Sequence, residues 1–387
     1  MPVARQQQPG APWWARIDWP RSSYYWWYFS VLGALVPYWP LYLEARGFGP
    51  RALGELMGVL AVTRVIAPQA GGFLSDHWGH RTAIVRVAAG LALLVFLAMT
   101  AARGFLAVAL VMAGFSFFWY ATLPPLEAST LARHGDRYGR VRLWGSVGFI
   151  VMVLALGPLW DRFGSAVLVP VIALALLALW FSTLALPPLA ARPEPRAPFR
   201  VRPGLWPFLA ACFLMQVSFG PYYTFYSVYL SHYGYDKTAI GALWALGVVC
   251  EILVFWQAPR LFARFRDHAL FAWTFALAIL RWILIAQAPR SGLVLLLAQI
   301  LHAFTFGLYH AVAIRLAGGF TGAGMRARAQ ALYGSAAGAG AALGAVASGQ
   351  LWPLVGGQAT FLWAAAVAAL ALAVVILWVP RQVAASG

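Results

Sequence analysis

Six ionisable side chains fall inside stretches that are otherwise apolar: Arg64, Glu127, Glu251, Arg281, His302 and His310, with Arg142 and Arg315 nearer the ends of such stretches. A charge in a surrounding that resembles hydrocarbon is costly unless it faces a partner or a wet cavity, so each is a candidate functional residue. Three chemistries are open to them. Arg281 or Arg64 can clamp a carboxylate through a two-pronged guanidinium. Glu127, Glu251 and His302 can carry a proton, and Arg142 is the nearest partner in sequence for Glu127. Glu127 lies six residues before Arg133, about 9 Å along a helix at ~1.5 Å per residue. Gln299, His302, Thr305 and Tyr309 share one helical face (i, i+3, i+6, i+10), a spacing expected of a pathway-lining stripe. Tyr222, Tyr223, Phe225, Tyr226 and Trp244 offer rings that can stack on an aromatic ligand, although aromatic packing is common in any such chain. Interhelical ion pairing is the plain alternative for the charges. Six at middle depth favour a shared cavity.

Enzyme chemistry finds no footing. His302 and His310 lack the i, i+4 spacing of a zinc helix. Gly338-Ala-Gly340-x3-Gly344 sits in an Ala/Gly helix with no preceding strand, which suits close helix packing rather than a nucleotide. Cys212 and Cys250 both lie in apolar stretches, so no disulfide framework, metal site or cofactor is expected.

The elements that position these residues are membrane helices. The chain is 62% hydrophobic and only 10% charged, against ~25% charged residues in soluble domains. Its mean hydropathy is +0.74. Twelve spans are expected, at 22–44, 52–75, 82–102, 105–132, 140–160, 165–187, 205–231, 238–258, 268–288, 292–316, 327–351 and 358–379. The net charge of +17 is a topology signal rather than a nucleic-acid footprint: twenty of the 28 Lys and Arg fall in the tails and even-numbered loops. That bias places both termini in the cytoplasm. Residues 1–21 read as a cytoplasmic tail with no signal-peptide core, 22–187 as a six-helix bundle, and 188–203, rich in Arg and Pro, as a cytoplasmic linker. Residues 204–380 read as a second six-helix bundle and 381–387 as a tail. The aromatic run Trp13–Trp27 is expected at the headgroup level, and Pro37 and Pro40 are expected to interrupt the first helix.

Two patterns tie the spans together. Gly72-x3-Asp76-x2-Gly79-x-Arg81 lies between the second and third spans, where glycines permit a tight turn and Asp76 can cap a helix or pair with an Arg. Tyr42-Leu43-x3-Gly47-Phe48 recurs as Tyr229-Leu230-x3-Gly234-Tyr235 at an offset of 187, and Trp144-Gly145-Ser146 recurs as Tyr333-Gly334-Ser335. By that offset Arg64 maps onto Glu251, so equivalent helices carry opposite charges.

The loop pattern on twelve spans resembles the major facilitator superfamily. Pro125-Leu-Glu127-Ala with Gly139-Arg-Val-Arg142 is similar to the sugar-contacting pair of the lactose permease family, and Glu251, Arg281 and His302 match its C-terminal charged trio. One position departs: where that family has a proton-carrying Glu three residues after the His, this chain has Thr305. The pattern Tyr138-Gly-x-Val-Arg-Leu-Trp-Gly-Ser146, Tyr222-Tyr223, Leu246-Gly-Val-Val and Gln299-Ile-Leu-His302 resembles the phenylpropionate permease branch, in which Thr305 is expected. The resemblance implies a bacterial inner-membrane transporter, working as a monomer, that imports a small organic anion such as 3-phenylpropionate with a proton. Its binding residues would come from Arg281, Arg64, Glu127, Arg142, His302, Gln299, Tyr222 and Tyr223, and its proton site from Glu251, Glu127 or His302. A sugar or nucleoside symporter is the rival. A non-transporting receptor or scaffold would call for a long soluble domain, which the sequence does not contain.

Overall fold

Capping chemistry starts several of the helices. Asp18 accepts a hydrogen bond from the Arg21 amide at the head of the first helix, with proline in its first turn; Asp236 and Ser291 cap two later ones in the same way. The computed structural model describes residues 17–189, 203–320 and 326–380, and every regular element among them is helical. The first segment carries α1 (Trp19–Ala45), α2 (Pro50–Trp78), α3 (Arg81–Leu97), α4 (Gly104–Ala121), α5 (Leu123–His134), α6 (Tyr138–Phe163) and α7 (Leu168–Leu184). The remainder carries α8 (Leu205–Ser218), α9 (Gly220–His232), α10 (Lys237–Arg264), α11 (Asp267–Gln287), α12 (Gly292–His302), α13 (Tyr309–Gly319) and α14 (Arg326–Trp378).

Among the described residues, ten helical stretches are long and apolar enough to cross a bilayer. Three are composite: α4 with α5, α8 with α9, and α12 with α13. α14 counts once, but at Gly356 its backbone takes φ +78°, a conformation that a Cβ would strain, so α14 is two arms. Gly204, just before α8, packs on Pro380 at the end of the described chain. Large apolar side chains such as Leu94, Leu106, Leu174 and Leu370 are exposed on the helix faces, as a lipid-facing surface requires.

Several expectations change here. α1 starts at Trp19, not 22, and runs unbroken through Pro37 and Pro40. Packing on α6 and α7 holds it straight enough to survive the two missing donors. Of the aromatic run, Tyr24 and Tyr25 are fully buried and Trp19 is exposed; Trp13 and Trp14 lie outside the described residues. The fourth, seventh and tenth spans are each divided. Pro124 and Pro125 follow the first break, Pro221 follows the second, and Ala303–Leu308 form a π-helix at the third. Gly72 does not make a turn: α2 continues to Trp78, a Cβ on Gly72 would meet open space, and the turn falls at Gly79 (φ +68°). Arg81 opens α3. The Asp76 side chain, the linker residues 190–202 and the C-terminal residues 381–387 lie outside the described parts.

The two segments touch along α2 and α14, where Gln69 donates to Ser335 at 3.1 Å, and again at the far end, where α1 and α6 finish and α10 begins. Glu44 Oε1 lies 2.7 Å from His232 Nε2. Asp161, on the last turn of α6, accepts from the Lys237 and Thr238 amides (both 2.9 Å) and from the Thr238 hydroxyl (2.7 Å), so it caps α10 from the other segment. Tyr38 donates to the Val153 carbonyl at 2.8 Å and lies 3.3 Å from that of Lys237. Gly54 on α2 and Gly349 on α14 approach so closely that a Cβ on Gly54 would lie 2.7 Å from the Gly349 Cα.

Candidate functional site

Arg281 projects from the middle of α11 and is wholly buried. Its Nε donates to the Ala298 carbonyl on α12 at 2.9 Å. Aromatic faces cover its plane: the guanidinium carbon is 4.1 Å from the centre of the Tyr222 ring, 4.6 Å from Trp282 and 5.7 Å from Phe219. The Nη1 and Nη2 nitrogens have no hydrogen-bond acceptor. Tyr222 also reaches Gln299, donating to its Oε1 at 3.0 Å, while Gln299 Nε2, His302 Nδ1 and the Tyr226 hydroxyl are buried without a partner. The His302 ring lies parallel to Phe306, with centroids 5.3 Å apart. Breaks in two helices shape this packed cluster. The α8–α9 break presents Phe219 and Tyr222, and the π-helix turns Phe306 onto His302. Glu251 on α10 rests against that π-helix, where a Cβ added to Gly307 would come within 2.8 Å of its Cγ.

The other segment supplies an open, charged face. Glu127 on α5 accepts from the Tyr138 hydroxyl at 3.3 Å and lies 3.7 Å from Arg142 Nε. Arg142 stacks on Phe29, its guanidinium carbon 3.7 Å from the ring centre. Both charges are partly exposed, at 38% for Glu127 and 29% for Arg142, so this pair is wet while Arg281 is dry. Arg64 on α2 is exposed although it lies mid-helix, and its field reaches Tyr28 and Tyr120 on its own segment and Tyr223 and Tyr333 on the other. The field of Arg142 likewise reaches Glu251 and His310 across the bundle. His310 is exposed and within 3.0 Å of the Tyr333 hydroxyl. The Glu127–Arg142 pair and the Arg281 cluster thus stand on different segments of the bundle.

The sequence-based candidates separate into groups. The Glu127–Arg142 pair forms as expected. Arg281, Gln299, His302, Tyr222 and Tyr223 gather on α9, α11 and α12, and Glu251 stands beside the same π-helix. Glu251 makes no ion pair with Arg64 or Arg281 in this conformation. All four residues of the expected stripe, Gln299, His302, Thr305 and Tyr309, are buried; Gln299 and His302 join the Arg281 cluster, whereas Tyr309 donates to the Cys212 carbonyl and stacks on Phe271 in the core. The π-helix falls between His302 and Tyr309 and spoils the α-helical register on which the stripe was drawn. Arg315 pairs with Asp267 at 3.2 Å, away from this interior. Sequence reading did not find the far-end contacts of Glu44, Asp161 and His232. The signal was present in Asp236-Lys-Thr238, a helix start facing the acidic end of α6. Two open depressions of about 410 Å³ also lie at that far end, around Tyr233 and Gln358, away from the charged interior.

Buried and half-buried charges inside an apolar helical bundle, gathered from both segments, define a membrane-embedded solute carrier. The chain belongs to the MFS_1 like family, whose model matches residues 19–363. It is a multi-pass inner-membrane transporter of the major facilitator superfamily, not an enzyme. It is 30% identical over 351 residues to a protein of Escherichia coli (strain K12) described as a probable 3-phenylpropionic acid transporter, covering 86% of this chain and 90% of that one. It is also 30% identical over 282 residues to a maltose permease of Geobacillus stearothermophilus, covering 69% and 70%. Among solved structures, the nucleoside transporter NupG superposes with a TM-score of 0.80 at 17% identity, over 92% of this chain and 97% of that one. The POT family transporter PepTSo does so with 0.74 at 11%, over 95% and 98%. At such identities these two likenesses concern the fold alone.

Proposed function

We propose that this transporter imports a small organic anion, an aromatic carboxylate such as 3-phenylpropionate, together with a proton, by alternating access. The observation that carries this reading is Arg281, a fully buried cation whose two Nη donors have no acceptor. A guanidinium so placed is destabilised until an anion reaches it, and a carboxylate matches its geometry. Rings from Tyr222, Trp282 and Phe219 around it suit an aromatic body, and the name of the Escherichia coli relative points the same way.

The reading takes the chain as twelve spans in two six-helix bundles, 22–187 and 204–380, with both termini cytoplasmic, acting as a monomer. The length of α1 and the break of α14 at Gly356 support the count, because they add two rods to the ten apolar stretches. Matching helix starts support the duplication: α2 at Pro50 with α10 at Lys237, and α4 at Gly104 with α12 at Gly292. Glu251 is the proton carrier in this scheme. It stands within the field of Arg142 and against the π-helix that follows His302, so charge moving nearby changes its proton affinity. Uptake of labelled 3-phenylpropionate into proteoliposomes, with and without an imposed pH gradient, tests the scheme. Failure of the gradient to drive accumulation overturns it.

A second reading, symport of a sugar or nucleoside, rests on the wet Glu127–Arg142 pair, whose charges suit hydroxyl groups. It draws also on the name of the maltose permease relative. A competition panel of aromatic acids against sugars and nucleosides separates the two.

A further inference from the structure

The outward face of α10 changes character along its length. Val249, Leu253, Trp256, Arg260 and Arg264 fall on one helical stripe (i, i+4, i+7, i+11, i+15), and all are exposed, Trp256 by 70%. Glu251 lies on the opposite face of this helix, against Gly307. The 28 residues of α10 reach about 42 Å at ~1.5 Å per residue, well beyond a hydrocarbon core of ~30 Å. Asp161 holds the start of the helix, Lys237, at the far end. Trp256 stands about 29 Å along the axis from Lys237, where hydrocarbon gives way to headgroups, the depth that Trp favours. Arg260 and Arg264 follow one and two turns later, in the headgroup layer. Arg260 Nη1 donates to Gln257, and its guanidinium carbon is 5.9 Å from the centre of the Trp256 ring. That of Arg264 is 5.7 Å from the Phe265 ring. Neither arginine has an acidic partner among the described residues. Other arginines are committed: Arg315 nearby to Asp267, Arg21 to Asp18, Arg142 to Glu127, and Arg86 to the carbonyls that end α7.

We infer that this face binds an anionic phospholipid, with its phosphate between the Arg260 and Arg264 guanidiniums and its chains along Trp256, Leu253 and Val249. Charge sets the kind of partner. Residues four apart on a helix are neighbours, so two cations without carboxylates stand side by side, and one phosphate accepts from both. The apolar continuation of the stripe sets the source of that phosphate. A free phosphate ion would meet the arginines alone, whereas a lipid also covers the exposed Trp256 and Leu253. A general excess of cations at one membrane face does not require two of them to share a stripe with a tryptophan. Nothing in this assignment depends on which solute is carried.

The test uses the full chain in detergent, titrated with dioleoyl phosphatidylglycerol and, as the neutral control, dioleoyl phosphatidylcholine, with binding read by thermophoresis. The wild-type chain is expected to bind phosphatidylglycerol about thirty-fold tighter, about five-fold for each arginine at ~1 kcal/mol per cation. Arg260→Gln with Arg264→Gln is expected to erase that preference and leave phosphatidylcholine binding unchanged. Arg260→Lys with Arg264→Lys keeps both charges and is expected to hold the preference within about five-fold of wild type. Arg137→Gln with Arg328→Gln removes two exposed arginines from other turns and is expected to leave the preference intact. A wild-type preference in the Arg260→Gln, Arg264→Gln chain overturns the inference. An equal loss in the Arg137→Gln, Arg328→Gln chain also overturns it, in favour of diffuse surface charge. So does displacement of the lipid by an equal concentration of inorganic phosphate, which would make this a free-anion site. A dimer that Arg260→Gln with Arg264→Gln dissolves, without any lipid preference in wild type, would give the face to a second copy of the chain instead.

Discussion

Two arginines illustrate how much burial changes meaning. Arg142 and Arg281 both stack on aromatic rings, yet Arg142 has a carboxylate at 3.7 Å and partial access to water, whereas Arg281 has neither. Removing Arg281 therefore removes an unmet demand rather than a structural pair. Arg281→Ala is expected to reach the membrane in normal amounts and to lose carboxylate uptake. Arg281→Lys keeps the charge without the planar fork and is expected to retain weakened uptake. Surface expression and initial uptake rates check both. Normal uptake affinity in Arg281→Ala would move the carboxylate to Arg64 or Arg142. Glu251→Gln is expected to abolish uphill accumulation while substrate exchange persists, since the residue remains in place beside Gly307 but no longer titrates. Undiminished accumulation in that variant would exclude Glu251 as the proton carrier.

At the scale of helices, the joints matter more than the rods. Asp161 holds the start of α10 with three hydrogen bonds across the two segments, so Asp161→Ala is expected to loosen the far end. Faster thiol labelling of a Ser231→Cys probe, with the helix content unchanged, is the measurement; equal labelling would show that Glu44–His232 and the Gly54–Gly349 contact suffice. The opposite end has its own joint, where Asp18 meets Arg21 at 2.8 Å and His134 at 2.9 Å. Burial pushes the Asp18 carboxyl upward, but its bond to His134 and the charge of Arg21 outweigh this and hold it below its ordinary value. A carboxyl lowered in the fold stabilises above its unfolded pKa and loses that contribution as pH falls through the folded one. Asp18→Asn should therefore cost about 1 kcal/mol near neutral pH, with the gap in melting temperature from wild type closing in strong acid; a constant gap would contradict this. These joints also mark where sequence reading ended. The rods follow from apolar length, and the Glu127–Arg142 pair follows from two charges flanking one short turn. Pro124 and Pro221 could have announced two of the breaks, but nothing in Ala303–Leu308 announces a π-helix. That register change packs against α10 and α11, contacts that periodicity does not contain, and it separates His302, which joins the Arg281 cluster, from Tyr309, which packs on Phe271 in the core.

Across the whole molecule, the two segments contribute unequal chemistry to one interior. The first turns Arg64, Arg142 and Glu127 toward water, while the second hides Arg281, Gln299 and His302 behind rings. The sequence repeat at an offset of 187 foreshadowed matching helix starts and opposite charges at Arg64 and Glu251. It could not indicate which side would be dry, because burial depends on how the broken helices fold over one another. A carboxylate entering with one proton carries no net charge, so the full cycle is expected to ignore voltage, although an uncompensated charge would feel about 2.3 kcal/mol per 100 mV. Accumulation of 3-phenylpropionate in proteoliposomes, driven separately by a pH gradient and by a potassium-diffusion potential, tests this most directly. The account predicts uphill uptake with the pH gradient alone, none with voltage alone, and none with either in Arg281→Ala; accumulation driven by voltage alone, or unaffected by loss of Arg281, would contradict it.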